Sequence, residues 1–306
     1  MSTRRPRSDP LRAAGLAAVA LSLLTACGAG PGAATSGAGP LTVVAAENVW
    51  GDIASQIGGN HVSVTSIITD PNADPHLYET NPRDAAAMSG ATLVIENGVG
   101  YDTFVGRLLD TNPDPGRDVL TIATVVGVGG DNPNPHLWYS PEYVTKGARA
   151  IASHLASHDP ADAAAFATNL QTFLRAYQPY IDTLQAIHAR YSSTPIGYTE
   201  RVAGYLVASA GLRLATPAPF AQSVEDGNDP SPADVAAMDA AMTGRLVKLL
   251  LYNAQVTSPV TQGVKTLATS NGIPVVGVAE TIPAAEHTFQ SWQIAQARAI
   301  LTALGG

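Results

Sequence analysis

The chain has 306 residues, 45% of them hydrophobic and 14% charged, enough for one large domain or two ordinary ones with real cores. A formal net charge of −8 gives it no electrostatic reason to bind nucleic acid and suits a cationic partner instead. Its single cysteine, Cys27, excludes an internal disulfide and a thiolate metal site, so any metal must be held by nitrogen and oxygen.

The N-terminal stretch Ala13 to Ala26 is apolar, follows Arg4, Arg5, Arg7 and Arg12, and is too short to span a bilayer. Residues 1–26 therefore read as a secretion signal. Leu24-Thr25-Ala26-Cys27 resembles a bacterial lipobox, which makes Cys27 the expected site of lipidation and the first residue of the mature chain. Loss of residues 1–26 removes four arginines and one aspartate and takes the formal net charge from −8 to −11. Residues 27–40, rich in Gly, Ala, Pro and Ser, form a flexible tether with nothing to bury, and the folded part is expected from Leu41.

From there apolar strands alternate with helical segments. Leu41 to Ala46 reads as a strand, Asn48 to Ile57 as a helix stopped by Gly58-Gly59, and His61 to Thr69 as a second strand. Pro82 to Ser89 is helical, and Thr92 to Glu96 and Leu120 to Val126 are further strands. Ser140 to Ser157 is a helix. The segment from Pro160 to Tyr191 then carries Phe166, Leu170, Phe173, Tyr177, Ile181 and Leu184 on one helical face. At ~1.5 Å per residue it reaches about 45 Å, with Pro179 inside it as an expected kink. The rhythm then restarts: strand Ile196 to Thr199, helix Val202 to Ala210, strand Arg213 to Thr216 and helix Ser231 to Met242, capped by Ser231 with Pro232 in its first turn. Strand Leu246 to Tyr252, helix Val260 to Ser270, strand Pro274 to Val278 and helix Phe289 to Leu304 complete the chain. The expected fold is α/β: two parallel-sheet lobes, residues 41–158 and 194–306, joined by one long helix in 159–193, with a ligand cleft between them.

Two short phrases stand out, Asp74-Pro75-His76-Leu77-Tyr78-Glu79 and Asn134-Pro135-His136-Leu137-Trp138. In each, a proline fixes the backbone before the histidine, so the ring is aimed by the chain. Ligands of open parallel sheets collect beyond the carboxyl ends of strands. Four strands lead into residues able to hold a metal: His76, His136, Glu200 and Glu280, two from each lobe. Two neutral imidazoles and two carboxylates balance a divalent cation, which makes the set cheaper to bury. Their spacing forms no local metal motif.

Those two phrases, with Tyr198-Thr199-Glu200-Arg201-Val202-Ala203-Gly204-Tyr205, Asn228-Asp229-Pro230-Ser231-Pro232-Ala233-Asp234 and Gly272-Ile273-Pro274-Val275, resemble the solute-binding lipoproteins of bacterial ABC importers for zinc and manganese. The resemblance covers the chain from Leu41 onward. It implies that His76 and His136 are ligands. It places at Glu200 a third ligand that is histidine in typical zinc members and glutamate in typical manganese members. At Glu280 it places an acidic fourth ligand, usually aspartate. It further implies a transported Zn2+ or Mn2+, with Fe2+ admissible, a membrane permease as partner, a monomer anchored through Cys27 on the outer face of the cell membrane, and no catalysis. Two features depart from the pattern. No histidine-rich acidic loop lies between Thr121 and Asn134, which tilts selectivity away from a dedicated zinc scavenger, and Pro179 interrupts the linking helix.

Other candidates read more simply. His154 and His158, four apart, fit a solvated helix face, His61 a surface position, His188 a helix end, and Glu225, Asp226 and Asp229 a solvated loop. His287 is an auxiliary ligand candidate by its nearness to Glu280. Trp50, Trp138 and Tyr139 suit cleft walls, with Tyr78 and Trp138 shielding the metal. The rival functions are a zinc metallohydrolase, with one glutamate as general base, and an adhesin or structural lipoprotein that a metal braces.

Overall fold

The computed structural model describes residues 39–70 and 78–306. Among these, eight short strands form two sheets. The first has β1 (Leu41–Glu47), β2 (Val62–Ile68), β3 (Leu93–Glu96) and β4 (Asp118–Thr121) in the order β2-β1-β3-β4. The second has β5 (Pro195–Tyr198), β6 (Arg213–Leu214), β7 (Leu250–Asn253) and β8 (Val275–Val278) in the order β6-β5-β7-β8. Every pairing is parallel, with Val43 opposite Val64 on one side and Leu93 on the other, and Leu251 opposite Tyr198 and Val276. Strands covered on both faces are apolar along their length, and the buried runs Val43 to Ala46 in β1 and Leu250 to Tyr252 in β7 meet that demand before each strand ends in a buried polar residue, Glu47 and Asn253. In each sheet the winding reverses beside the first strand, between β1 and β3 and between β5 and β7. The carboxyl ends at such a switch point are where open parallel sheets bind their ligands.

The helices are α1 (Asn48–Gly58), α2 (Pro82–Ser89), α3 (Thr103–Thr111), α4 (Ile122–Val126), α5 (Pro141–His158), α6 (Ala163–Tyr191), α7 (Gly204–Ser209), α8 (Ala218–Glu225), α9 (Pro232–Thr243), α10 (Pro259–Ser270) and α11 (Phe289–Ala303). Four begin with a capping residue followed by proline: Asn81-Pro82, Ser140-Pro141, Ser231-Pro232 and Ser258-Pro259. The cap side chain accepts a free backbone N–H, and the proline removes another that would have no partner.

The sequence places most of these elements to within a few residues. Leu120 to Val126 is the clear departure: β4 ends at Thr121, and Ile122–Val126 is a short helix closed by Gly127 in the left-handed conformation at φ 75°. A β-branched run of this length is ambiguous by pattern, and the glycine decides it. Strand Arg213 to Thr216 shrinks to two residues, and α3 and α8 are additional helices.

α6 is the spine. Its 29 residues span ~44 Å, and it packs against α1 and α5 from the first half and α7 and α11 from the second. It stays helical through Pro179, which sits on its exposed face, where water can take the carbonyl that loses its partner. Its buried Phe173 stacks with Tyr177 and with Phe289 of α11, Tyr177 meets Phe289 at a tilt, and this aromatic cluster continues through Trp292 and Tyr139. The main hydrophobic core is thus common to both halves. Truncating Phe289 or Trp292 to alanine costs about 3–5 kcal/mol on the usual scale for buried aromatics.

A polar stripe on α1 adds to this link. Asn48 exchanges hydrogen bonds with the backbone of Ile282, Asp52 accepts from the Phe289 N–H at 2.9 Å, and Gln56 pairs with Gln290. These residues follow one another at i, i+4 and i+8, a single face of the helix. Burial raises the Asp52 carboxyl above its ordinary value, against the two hydrogen bonds that lower it. No helix among the described residues is long and apolar enough to cross a membrane.

Candidate metal centre

His136 is fully buried at the end of the loop that follows α4. Its ring stands edge-on to Trp138 and to Tyr101, with centroids 5.5 and 5.7 Å away. Asn134 sets its orientation: Asn134 Oδ1 accepts from the His136 backbone N–H at 3.0 Å and lies 2.8 Å from Nδ1. The amide cannot be turned round, because Asn134 Nδ2 donates to the Arg201 carbonyl at 2.8 Å. Nδ1 therefore carries the proton, and Nε2 presents a lone pair to the interior. That nitrogen lies 3.3 Å from Glu280 Oε2.

Glu200 and Glu280 follow β5 and β8, the two strands that flank β7, and both are buried. Between them Asn253, the last residue of β7, donates its one side-chain amide group to both carboxylates, at 2.5 Å to Glu200 Oε2 and 2.8 Å to Glu280 Oε1. Tyr101, from the loop after β3, donates to Glu280 Oε2 at 2.9 Å. Gln255 Oε1 accepts from the backbone N–H groups of Glu280 and Thr281 and fixes that turn. The loop carrying Tyr101 runs through three successive residues of positive φ, Gly98, Val99 and Gly100, the middle one a valine at 51°. A β-branched residue is costly in that region.

At the carboxyl ends of the two sheets one imidazole nitrogen thus meets one buried carboxylate, and Asn253 ties a second buried carboxylate to the first. Two buried carboxylates sharing one amide donor are expensive, and a cation is the ligand that offsets their charge. The donor set, nitrogen and oxygen without sulfur, suits Mn2+, Fe2+ or Zn2+.

Of the four residues expected from the sequence, His136 contacts Glu280 directly and Glu200 is linked to Glu280 through Asn253. His76 lies outside the described residues, as does Cys27. His287 is exposed, whereas Glu280 is buried. Trp138 does line the histidine, but Trp50 is core, its indole N–H donated to Asn97 Oδ1 at 3.1 Å. Tyr78 packs on Phe104 and donates to Asp84 instead of shielding the metal centre. Glu225 is no solvated acid: it is buried and clamped by Arg201 through two contacts of 2.6 and 2.9 Å. His154 and His158 are not a solvated face either, since both turn to Asp118 Oδ2 and, against the cost of burial, hold its carboxyl below the usual range.

Three residues escaped the sequence reading: Asn253, Tyr101 and Gln255. Asn253 ends a strand just as Glu200 follows one, so the same positional rule reaches it. An amide is a poor metal ligand, and the work of this one is to hold the two carboxylates.

The chain is similar to known metal-binding proteins. The manganese-binding lipoprotein MntA of Halalkalibacterium halodurans is 29% identical over 174 residues, 55% of this chain and 56% of that protein. The iron-binding protein YfeA of Yersinia pestis is 30% identical over 152 residues, 48% of this chain and 46% of that one. The chain therefore spans about half the length of the curated relatives it matches. The solved periplasmic zinc-binding protein TroA of Treponema pallidum superimposes with a TM-score of 0.74 over 88% of this chain and all of the other, at 15% identity, which establishes the shared fold. The model of the family described as zinc-uptake complex component A, periplasmic, matches residues 43–303, and the chain belongs to that family.

Proposed function

We propose that this protein is the extracytoplasmic receptor of a metal-importing ABC transporter, binding one divalent transition metal and delivering it to a membrane permease. The observation that carries the reading is the buried contact of His136 Nε2 with Glu280, with Asn253 bridging Glu280 to the equally buried Glu200. His76, which follows Pro75 in the sequence, is the proposed fourth ligand. The metal is cargo, the four side chains coordinate it, and no catalytic role is assigned to any of them. A closed site without an open coordination position is what a carrier requires. Relatives bear manganese-binding and iron-binding names, and a glutamate at Glu200 fits Mn2+ or Fe2+ as well as Zn2+. The remaining assignments are a leader in residues 1–26, lipidation of Cys27, a tether to residue 40, a linking helix within 159–193, and a monomeric receptor on the outer face of the membrane.

The test is calorimetric titration of chelator-stripped protein with Mn2+ and Zn2+, together with thermal melting. A ligand that binds only the folded chain adds about 2.7 kcal/mol of stability at a hundredfold excess over Kd. One tight equivalent, lost in Glu280→Ala and His136→Ala, is expected. Melting indifferent to both metals overturns the reading, and peptide or ester hydrolysis that chelation abolishes points to an enzyme instead.

A further inference from the structure

A second group of metal-capable side chains lies at the far end of the first sheet. His61 ends a short 3-10 turn that feeds β2, and Asp159 and Asp162 flank the corner between α5 and α6. One ligating atom of each lies within 4.8 Å of the other two, and His61 Nδ1 is 2.5 Å from Asp162 Oδ2. Ligands of a first-row cation, bound at about 2.0–2.2 Å, stand roughly 3–4.4 Å apart, so small side-chain rotations bring this trio onto one ion. The cleft is remote. α5 begins beside His136 and ends at Asp159, and its 18 residues measure ~27 Å.

His61 and Asp162 are paired with each other. Asp159 and Asp162 both occupy helix-capping positions, where a carboxylate ordinarily accepts a free N–H, and neither does so. The His61 ring is held edge-on against Phe166 of α6, centroids 5.9 Å apart and planes at 88°. All three are half-buried, within reach of an ion from solvent. The adjacent His158 is engaged elsewhere, with Nε2 3.2 Å from Asp118 Oδ2. A neutral imidazole and two carboxylates carry two negative charges, the complement of a divalent cation.

We propose that His61, Asp159 and Asp162 form a second, peripheral binding site for a divalent cation of borderline softness, with water completing the coordination sphere and the ion pinning the start of β2 to the α5–α6 corner. The test uses the full chain, stripped with chelator and titrated with Zn2+ alone by calorimetry, with bound metal counted after equilibrium dialysis. Two equivalents are expected, one tight and one weaker. The isosteric double variant Asp159→Asn/Asp162→Asn should lose the weaker equivalent and keep the tight one, while Glu280→Ala should do the reverse, so failure here is distinguishable from failure of the cleft. A shift of the His61 Nδ1 resonance on adding the second equivalent, identified with His61→Gln, supplies a readout independent of stoichiometry. A single equivalent in the unmodified protein, or a weaker equivalent that survives in the double variant, overturns the proposal.

Discussion

His136 Nε2 and Glu280 Oε2 stand 3.3 Å apart although 144 residues separate them, and each arrives from a different sheet. The contact is directional because Asn134 holds the proton on the opposite ring nitrogen. Replacing Asn134 with alanine removes that acceptor and frees the ring, while His136 and both carboxylates remain. Metal affinity should fall by about 10- to 100-fold, the usual cost of losing an outer hydrogen bond to a ligating histidine. Calorimetry with Mn2+ or Zn2+ measures it, and equal affinities in the two proteins contradict this role for Asn134.

Asn253 supports a different expectation for the metal-free protein. Its amide donates to both Glu200 and Glu280, and so does part of what a cation does when it binds. Asn253→Ala should therefore destabilise the empty protein by about 1–3 kcal/mol per acceptor left unsatisfied, and the loaded protein by less. The rise in Tm on adding metal should be larger in the variant than in the parent, even if its affinity is lower. A variant whose empty and loaded forms lose the same number of degrees argues against this account.

Most strands, and the candidate ligand positions at their carboxyl ends, are legible in the sequence because they rest on short-range signals: apolar runs such as Leu250-Leu251, capping pairs such as Ser231-Pro232, and the proline before His136. What escapes it is long-range and made by amides. Asn48, Asp52 and Gln56 on α1 look like the polar face of an ordinary surface helix until the segment from Ile282 to Gln290 is laid across them. Glu225 likewise reads as a loop acid, and only the fold brings Arg201, itself bonded to Asn132, over its carboxylate.

That last pair is a stability determinant. The Glu225 side chain is 3% exposed and its two oxygens are held by Arg201 in a forked arrangement, with the Arg201 side chain 17% exposed. Arg201→Leu strands a buried carboxylate, at a cost of about 3–5 kcal/mol. Glu225→Gln in the same background should recover most of the loss, since the neutral amide needs no counter-charge. Urea unfolding of the single and double variants tests the coupling, and purely additive losses count against it.

The final prediction concerns pH. Glu47 ends β1 fully buried beside the equally buried Asp102. Burial first, and then the neighbouring Asp102, raise its carboxyl well above the ordinary 4.5. Asp102 itself is pushed up to about 6 by burial, against the backbone N–H bonds that hold it down. For carboxyls raised on folding, the folded state binds the proton more tightly. Their contribution is fully present below the unfolded values, near pH 4, and is lost as pH rises through the folded ones. Each unit of displacement is worth ~1.4 kcal/mol. Glu47→Gln keeps the shape and removes the proton dependence. Its melting temperature should match the parent near pH 4 and exceed it increasingly from pH 5 to pH 8. Metal-free samples make the comparison clean, because bound cation adds its own pH dependence. Parallel melting curves across that range would show that the Glu47 carboxyl is ionised in the folded protein.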